Sequence, residues 1–289
     1  MNAVPPFSPA GLRQFLTPKL RVFLPAAAVL SSDEDLRPYE CDGLSAYRRV
    51  PGLVVMPETV EQVAQVLKLC AHHRVPVVAR GAGTGLSGGA LPHSEGVLLS
   101  LAKFNRIVEI DALNRTATVE PGVRNLAISE AAVPYGLYYA PDPSSQIACS
   151  IGGNVAENAG GVHCLKYGLT VNNVLGLKFL TIDGELITLG GKTLDTPGYD
   201  LLALLTGSEG MLGVLVEITV KLLPKPERAQ VVLAVFDEIE RAGDAVAAII
   251  ANGFVPAGLE MMDNLAIRAT EEYAKAGYPV EAAAILLCE

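Results

Sequence analysis

The stretch PVVARGAGTGLSGGALP, residues 76–92, places glycines at 81, 83, 85, 88 and 89, with Thr84 and Ser87 among them and Arg80 at the entrance. Successive glycines let several backbone N–H groups converge on one anion, and two hydroxyls beside a cation suit a diphosphate. Gly83-Thr84-Gly85-Leu86-Ser87-Gly88 also fits, formally, the G-x-G-x-x-G pattern of dinucleotide-binding folds. That pattern requires a helix directly after the glycines, whose N-terminus receives the pyrophosphate. Here Pro92 and the strand-like GVLLSL (96–101) follow instead, and the helical pattern precedes the loop. A P-loop is excluded too, because the loop contains no lysine. Taken alone, the loop is either a backbone nest for an anion or a structural turn.

Two further passages carry the same chemistry. YAPDPSSQIACSIGGNVAENAGG (139–161) supplies small hydroxyls, paired glycines and the amides of Asn154 and Asn158. TGSEGMLGV (206–214) repeats glycine and hydroxyl on the approach to a long strand pattern. Glycine admits close backbone approach, and Asn and Ser donate and accept at short range. Three such passages point to one large ligand with a phosphate end and a ring end.

Recognisable elements must carry these passages. ETVEQVAQVLKLCAHH (58–73) puts Val60, Val63, Ala64, Leu67, Cys70 and Ala71 on one helical face, with Thr59 and Gln62 as a capping box. VPVVA (75–79) reads as a buried strand leading into the glycine loop. TATVEPGV (116–123) alternates and turns at Pro121-Gly122, and GLKFLTIDGELITLG (176–190) reads as a hairpin around Asp183-Gly184. GVLVEITVKLLP (213–224) is a long strand, and PKPER (224–228) a linker. A new unit then begins near 229 with a strand (231–236), a helix (238–253) and more extended structure. The chain stops inside the strand-like AILLCE, so a longer parent chain is expected.

The composition, 50% hydrophobic and 18% charged over 289 residues, is that of a globular chain of about two domains. A net charge of −9 argues against a nucleic-acid surface. No apolar run reaches the roughly 18–20 residues of a membrane span. LRVFLPAAAVL (20–30) starts late and contains Arg21 and Pro25, so a packed segment is expected there rather than a signal peptide. Five scattered cysteines without C-x-x-C suit a reducing, cytoplasmic setting, and no metal site is expected.

These motifs, together with KYGLT (166–170), resemble the FAD-binding domain of the vanillyl-alcohol-oxidase/PCMH flavoprotein superfamily. Within it, CDGLSAYRRVPGLVV, PGVRNLAIS, HCLKYGLTVNN and GLEMMDNLAIRA are similar to the FAD-binding subunits of bacterial glycolate oxidases. The resemblance implies an α+β fold: an N-terminal segment (1–44), a PCMH-type FAD-binding domain (45–223) of two α/β subdomains (45–105 and 106–223), and the beginning of an α+β substrate domain (229–289). By the same resemblance Arg80, Gly81, Ala82, Gly83, Thr84, Gly85, Ser87 and Gly88 wrap the FAD diphosphate. Pro141, Asp142, Ser145, Ser150, Ile151, Gly152, Asn154 and Asn158 line the rest of the cofactor, and Glu209, Gly210 and Val214 close on it. Some relatives tether FAD through a histidine in the glycine loop. Residues 80–90 contain none, so non-covalent FAD is expected, with His93 a surface loop residue. His163 and Cys164 either approach the cofactor or are structural.

The implied activity is oxidation of a 2-hydroxy acid, glycolate or D-lactate, to the 2-oxo acid by hydride transfer to flavin N5. The alternatives are D-lactate or D-2-hydroxyglutarate dehydrogenation, and a non-catalytic FAD-binding module. Catalytic and substrate-binding residues are expected beyond Glu289, since no H-x-H cluster occurs in the chain. The implied partners are a second flavin-type subunit and an iron–sulfur subunit, with attachment to the inner membrane through them.

Overall fold

The structure, a computed structural model, describes residues 8–193 and 198–289; residues 1–7 of the expected N-terminal segment lie outside it. Helix α1 (Pro9–Leu20) opens on Ser8, whose hydroxyl accepts the Gly11 N–H, and buries Leu12, Leu16 and Leu20. Burial of each such leucine is worth roughly 2 kcal/mol. Strand β1 (Val29–Leu30) and the short helix α2 (Asp33–Leu36) follow, then β2 (Leu53–Val55), α3 (Val60–His73), β3 (Val77–Arg80) and β4 (Val97–Ser100). Their sheet has the order β1-β2-β4-β3, with β2, β4 and β3 parallel and β1 antiparallel at one edge. Both faces are covered, as a parallel sheet requires. Leu53, Val55, Val97 and Leu99 meet α1 and α3, whereas Val54 and Leu98 meet Leu36 of α2. The stretch 20–30 is therefore packed: Leu20, Leu24, Ala28 and Val29 all lie in the first core.

Helix α3 follows its apolar periodicity, with Val66 added to the buried face. Its N-terminus differs from a true capping box. Thr59 Oγ1 accepts the Gln62 N–H, but Gln62 Oε1 accepts from Glu58 N rather than from Thr59 N.

The second body contains β5 (Ile107–Asp111), β6 (Thr116–Val119), α4 (Asn125–Ala132), β7 (Leu137–Tyr138), α5 (Ile151–Glu157), α6 (Cys164–Tyr167), β8 (Val174–Leu180), β9 (Leu186–Gly190), α7 (Leu201–Leu205), β10 (Val214–Lys221) and β11 (Leu223–Pro224). Five strands form a wholly antiparallel sheet in the order β5-β6-β10-β8-β9, and β11 pairs with β7. The expected hairpin is β8–β9, turning where Gly184 takes φ +69°. Ile128 of α4 and Ile151 and Val155 of α5 pack on Val119, Leu177, Ile218 and Val220. Leu180, Val214 and Val216 of this sheet enter the first core, so the two bodies share apolar contacts.

After residue 225 come β12 (Val232–Phe236), α8 (Ile239–Ala251), β13 (Leu259–Asp263), α9 (Asn264–Ala274) and β14 (Ala284–Cys288). The last strand lies between the other two, antiparallel to both, so the strand-like C-terminal run has partners on each side.

Candidate functional site

The three glycine-rich passages meet at the junction of the two bodies, around a cleft of about 190 Å³. The glycine loop between β3 and β4 supplies one wall. Residues 143–159, including α5, supply the second, and 205–215 the third. No helix follows β3, so the dinucleotide pattern is formal only.

The loop is built to present backbone. Gly83 and Gly88 have φ of +69° and +82°, where a side chain would be strained. Among the described residues, the N–H groups of 81–90 donate to no protein acceptor. Gly85 and Gly210 face open space, since a Cβ on either would meet nothing nearer than Glu157 Oε1 at 3.8 Å or Ala79 Cβ at 3.9 Å. Side chains at these points would stand in the cleft itself. Unsatisfied amides in a concave glycine wall are what an anion such as a diphosphate needs.

Sequence reading misses that Ile151–Glu157 form a helix. Two glycines weaken its propensity, but Ser150 caps it by accepting the Gly153 N–H, and Asn158 closes it at φ +50°. Its first-turn amides are already engaged: Ile151 N donates to Val123 O and Gly152 N to Pro121 O, each at 2.8 Å, and Asn154 N to Ser150 O at 3.0 Å. The helix therefore positions side chains at the cleft, and the free amides are those of the loop. Its last carbonyls hold the third wall, with Val155 O accepting from Gly207 N at 2.8 Å and Ala156 O from Glu209 N at 2.9 Å. Glu209 stands at φ +51° there, beside Gly210 at +74°.

Of the expected residues, Arg80, Gly81, Ala82, Gly83, Thr84, Gly85, Ser145, Ser150, Gly152, Asn154, Glu209, Gly210 and Val214 line the cleft. Ser87, Gly88, Pro141, Asp142, Ile151 and Asn158 stand outside its lining. Ile151 is core, the Pro141 carbonyl accepts from Asn125, and Asn158 Oδ1 accepts the Val171 N–H. Ser87 donates to Glu157 Oε2 at 3.1 Å. Gly89 and Gly153, glycines of the first two passages, line it as well, and Cys149 and Glu157, together with the apolar Leu101, Leu205 and Leu215, line the cleft without a sequence signal that singled them out. Arg80 lines it too, and its Nη1 donates to Cys41 O at 2.8 Å. Burial holds its pKa below the ordinary value, against the pull of Asp42.

His163 does not line the cleft. Its Nδ1 lies 2.6 Å from Asp142 Oδ2, and its Nε2 lies 3.2 Å from Glu289 Oε2. Burial, the largest influence, favours the neutral ring, but the bonds and charges of the two carboxylates together outweigh it and raise the pKa. Among the described residues, no three His, Cys, Asp or Glu side chains are grouped to hold a metal ion, and no helix is long and apolar enough to cross a membrane.

Comparison with known proteins agrees with this geometry. Residues 51–190 match the FAD binding domain family, and 225–289 the C-terminal domain of FAD linked oxidases. The chain belongs to the FAD-linked oxidases. It is 66% identical over 270 residues to glycolate oxidase subunit GlcD of Escherichia coli K12, covering 93% of this chain and 54% of that one. It is 41% identical over 221 residues to a D-lactate dehydrogenase of Archaeoglobus fulgidus, covering 76% and 49%. This FAD-linked oxidase chain thus spans about half the length of the curated relatives it matches. A solved alkyldihydroxyacetonephosphate synthase superposes with a TM-score of 0.80 at 19% identity, over 94% of this chain and 55% of that one. That likeness fixes the fold, an α+β PCMH-type FAD-binding architecture. The cofactor class is FAD, and the unengaged amides of the glycine loop fit its diphosphate.

Proposed function

We infer that this chain is the FAD-binding part of a dehydrogenase for small 2-hydroxy acids, glycolate first, and that it holds FAD non-covalently. The observation that carries this is the convergence of three glycine-rich walls on one cleft whose loop amides have no protein acceptor. The 66% identity to a glycolate oxidase subunit supports the substrate class.

Residues 81–85 hold the diphosphate through backbone N–H groups, which stabilise negative charge without a lysine. Glu157 and Glu209 offer acceptors only, so they suit the sugar and ribityl hydroxyls and keep phosphate on the loop side. Leu101, Leu205, Val214 and Leu215 exclude water from the wall they share. FAD, when bound, supplies the hydride acceptor for oxidation of the substrate Cα. The subunit works beside a second flavin-type subunit and an iron–sulfur subunit, cytoplasmic and attached to the inner membrane through them.

The test is purification of the full-length protein containing this chain. The flavin spectrum is recorded without oxygen before and after addition of glycolate, D-lactate or D-2-hydroxyglutarate. Bound flavin bleached fastest by glycolate is expected. Faster bleaching by D-lactate or D-2-hydroxyglutarate reassigns the substrate, and flavin that none of the three bleaches leaves a binding module without this activity.

A further inference from the structure

The matched FAD binding domain begins at residue 51, yet the underside of the glycine loop is built by residues 39–44. A Cβ on Gly43 would lie 2.7 Å from Thr84 O and 2.8 Å from Gly85 O, so this backbone is already in contact with the loop. Leu44 reaches toward Gly88, and the Asp42 carboxylate accepts the Leu44 N–H at 2.9 Å, which fixes the turn. Arg80 ties the two segments together. Its Nη1 donates to Cys41 O at 2.8 Å and to Ala90 O at 3.5 Å, at the far end of the loop. Its guanidinium carbon stands 5.8 Å from the centre of the Tyr39 ring. A Cβ on Gly83 would overlap the guanidinium itself, so the loop at its left-handed turn rests directly on this side chain. The other oxygen of Asp42, buried and without a hydrogen-bond partner, adds negative charge beside the guanidinium.

We propose that Arg80 and residues 39–44 form a buttress behind the glycine loop that aims its free N–H groups into the cleft, with Arg80 a positioning residue rather than a ligand of the diphosphate. Nη1 alone donates to both Cys41 O and Ala90 O, while Nη2, Cζ and Nε fill the space beneath Gly83, so one rigid planar group makes the hydrogen bonds and supports the turn. A lysine ammonium can replace the Nη1 bonds but brings no planar group to fill that space. This inference rests on the FAD reading, and it extends the cofactor site to a segment outside the matched domain.

The experiment measures FAD affinity, by quenching of flavin fluorescence, and the thermal midpoint of the apoprotein for wild type, Arg80→Ala, Arg80→Lys and Gly43→Ala. Each is made in the full-length protein. Arg80→Ala and Gly43→Ala are each expected to weaken FAD binding by roughly tenfold or more, as loss of a supporting shell does. Methylguanidinium, but not methylammonium, should restore binding in Arg80→Ala. The ratio of wild-type to Arg80→Ala affinity should stay constant between about 0.05 and about 0.5 M salt, because a clamp is not screened as an exposed charge contact is.

Losses smaller than tenfold in both alanine variants overturn the proposal. So does a ratio that collapses in salt, which would mark direct charge contact with the diphosphate. If Arg80→Ala fails to fold, Arg80→Lys and Gly43→Ala decide by the same criterion. Wild-type protein that takes up no FAD sinks the cofactor reading itself, an outcome distinct from equal binding by wild type and variants.

Discussion

Replacing Gly152 by alanine tests whether α5 is held in place by contact with the turn at Pro121. A Cβ there would lie 2.6 Å from Pro121 Cβ and 2.9 Å from Pro121 O, and neither a proline ring nor a backbone carbonyl can swing aside. The helix must move off the turn, which weakens the Gly152 N to Pro121 O bond. Overpacking costs about 1–3 kcal/mol and the bond about 1 kcal/mol, while alanine recovers about 1 kcal/mol of helix propensity. The net loss is about 1–3 kcal/mol, or several degrees of melting temperature at ~2–4 °C per kcal/mol. Gly153 provides the control. The nearest atom to its Cβ is Ser150 Oγ at 3.3 Å, a hydroxyl that can shift slightly, so Gly153→Ala should be at least as stable as wild type, gaining up to about 1 kcal/mol of helix propensity. Urea unfolding of both variants, followed by circular dichroism, separates the two positions. Equal stability of Gly152→Ala and Gly153→Ala would refute the reasoning, because propensity alone treats adjacent helical glycines alike.

Two further outcomes follow from local chemistry. The carboxylates of Asp142 and Glu289 raise the pKa of His163, with Tyr138 and Tyr167 also near the cluster. Its stabilisation is therefore complete below the unfolded value of about 6.5 and fades as pH rises through the higher folded value. The melting temperature of wild type minus that of His163→Gln, scanned across this range, should fall with rising pH; a flat difference would contradict the ion pairs. Arg74 ends α3 at φ +54°, so Arg74→Gly should raise stability by about 0.5–1 kcal/mol in urea unfolding, and a loss would show that its side chain matters.

Local patterns made much of this legible in the sequence. Val63, Leu67 and Cys70 repeat at helical spacing, and Asp183-Gly184 sits between two β-rich arms, so α3 and the β8–β9 hairpin follow from neighbours in the chain. The glycine loop was legible through its company, since residues 139–161 and 206–214 carry the same chemistry. Helix α5 was not, because Gly152 and Gly153 argue against a helix and its support comes from Pro121 and Val123 across the fold. The direction of Arg80 was hidden for a similar reason. An arginine beside a glycine loop reads as an anion ligand, and no local pattern points to Cys41 O and Ala90 O as acceptors of its Nη1. The partners of His163 lie 21 and 126 residues away, beyond any local pattern.

Strand β10 lies in the middle of the five-stranded sheet, yet it is the last of those strands to be made. Until it emerges during synthesis, β5–β6 and β8–β9 exist as two separate hairpins with facing open edges. Hairpins of that size are marginal alone in water. Ile218 and Val220 then join both at once, which makes closure of the sheet a long-range and comparatively slow event. The third wall of the cleft leads directly into β10, so the cleft is not complete before that closure. If FAD sits there as proposed, its uptake follows that closure, and the interval before it is when the unpaired edges are most open to aggregation.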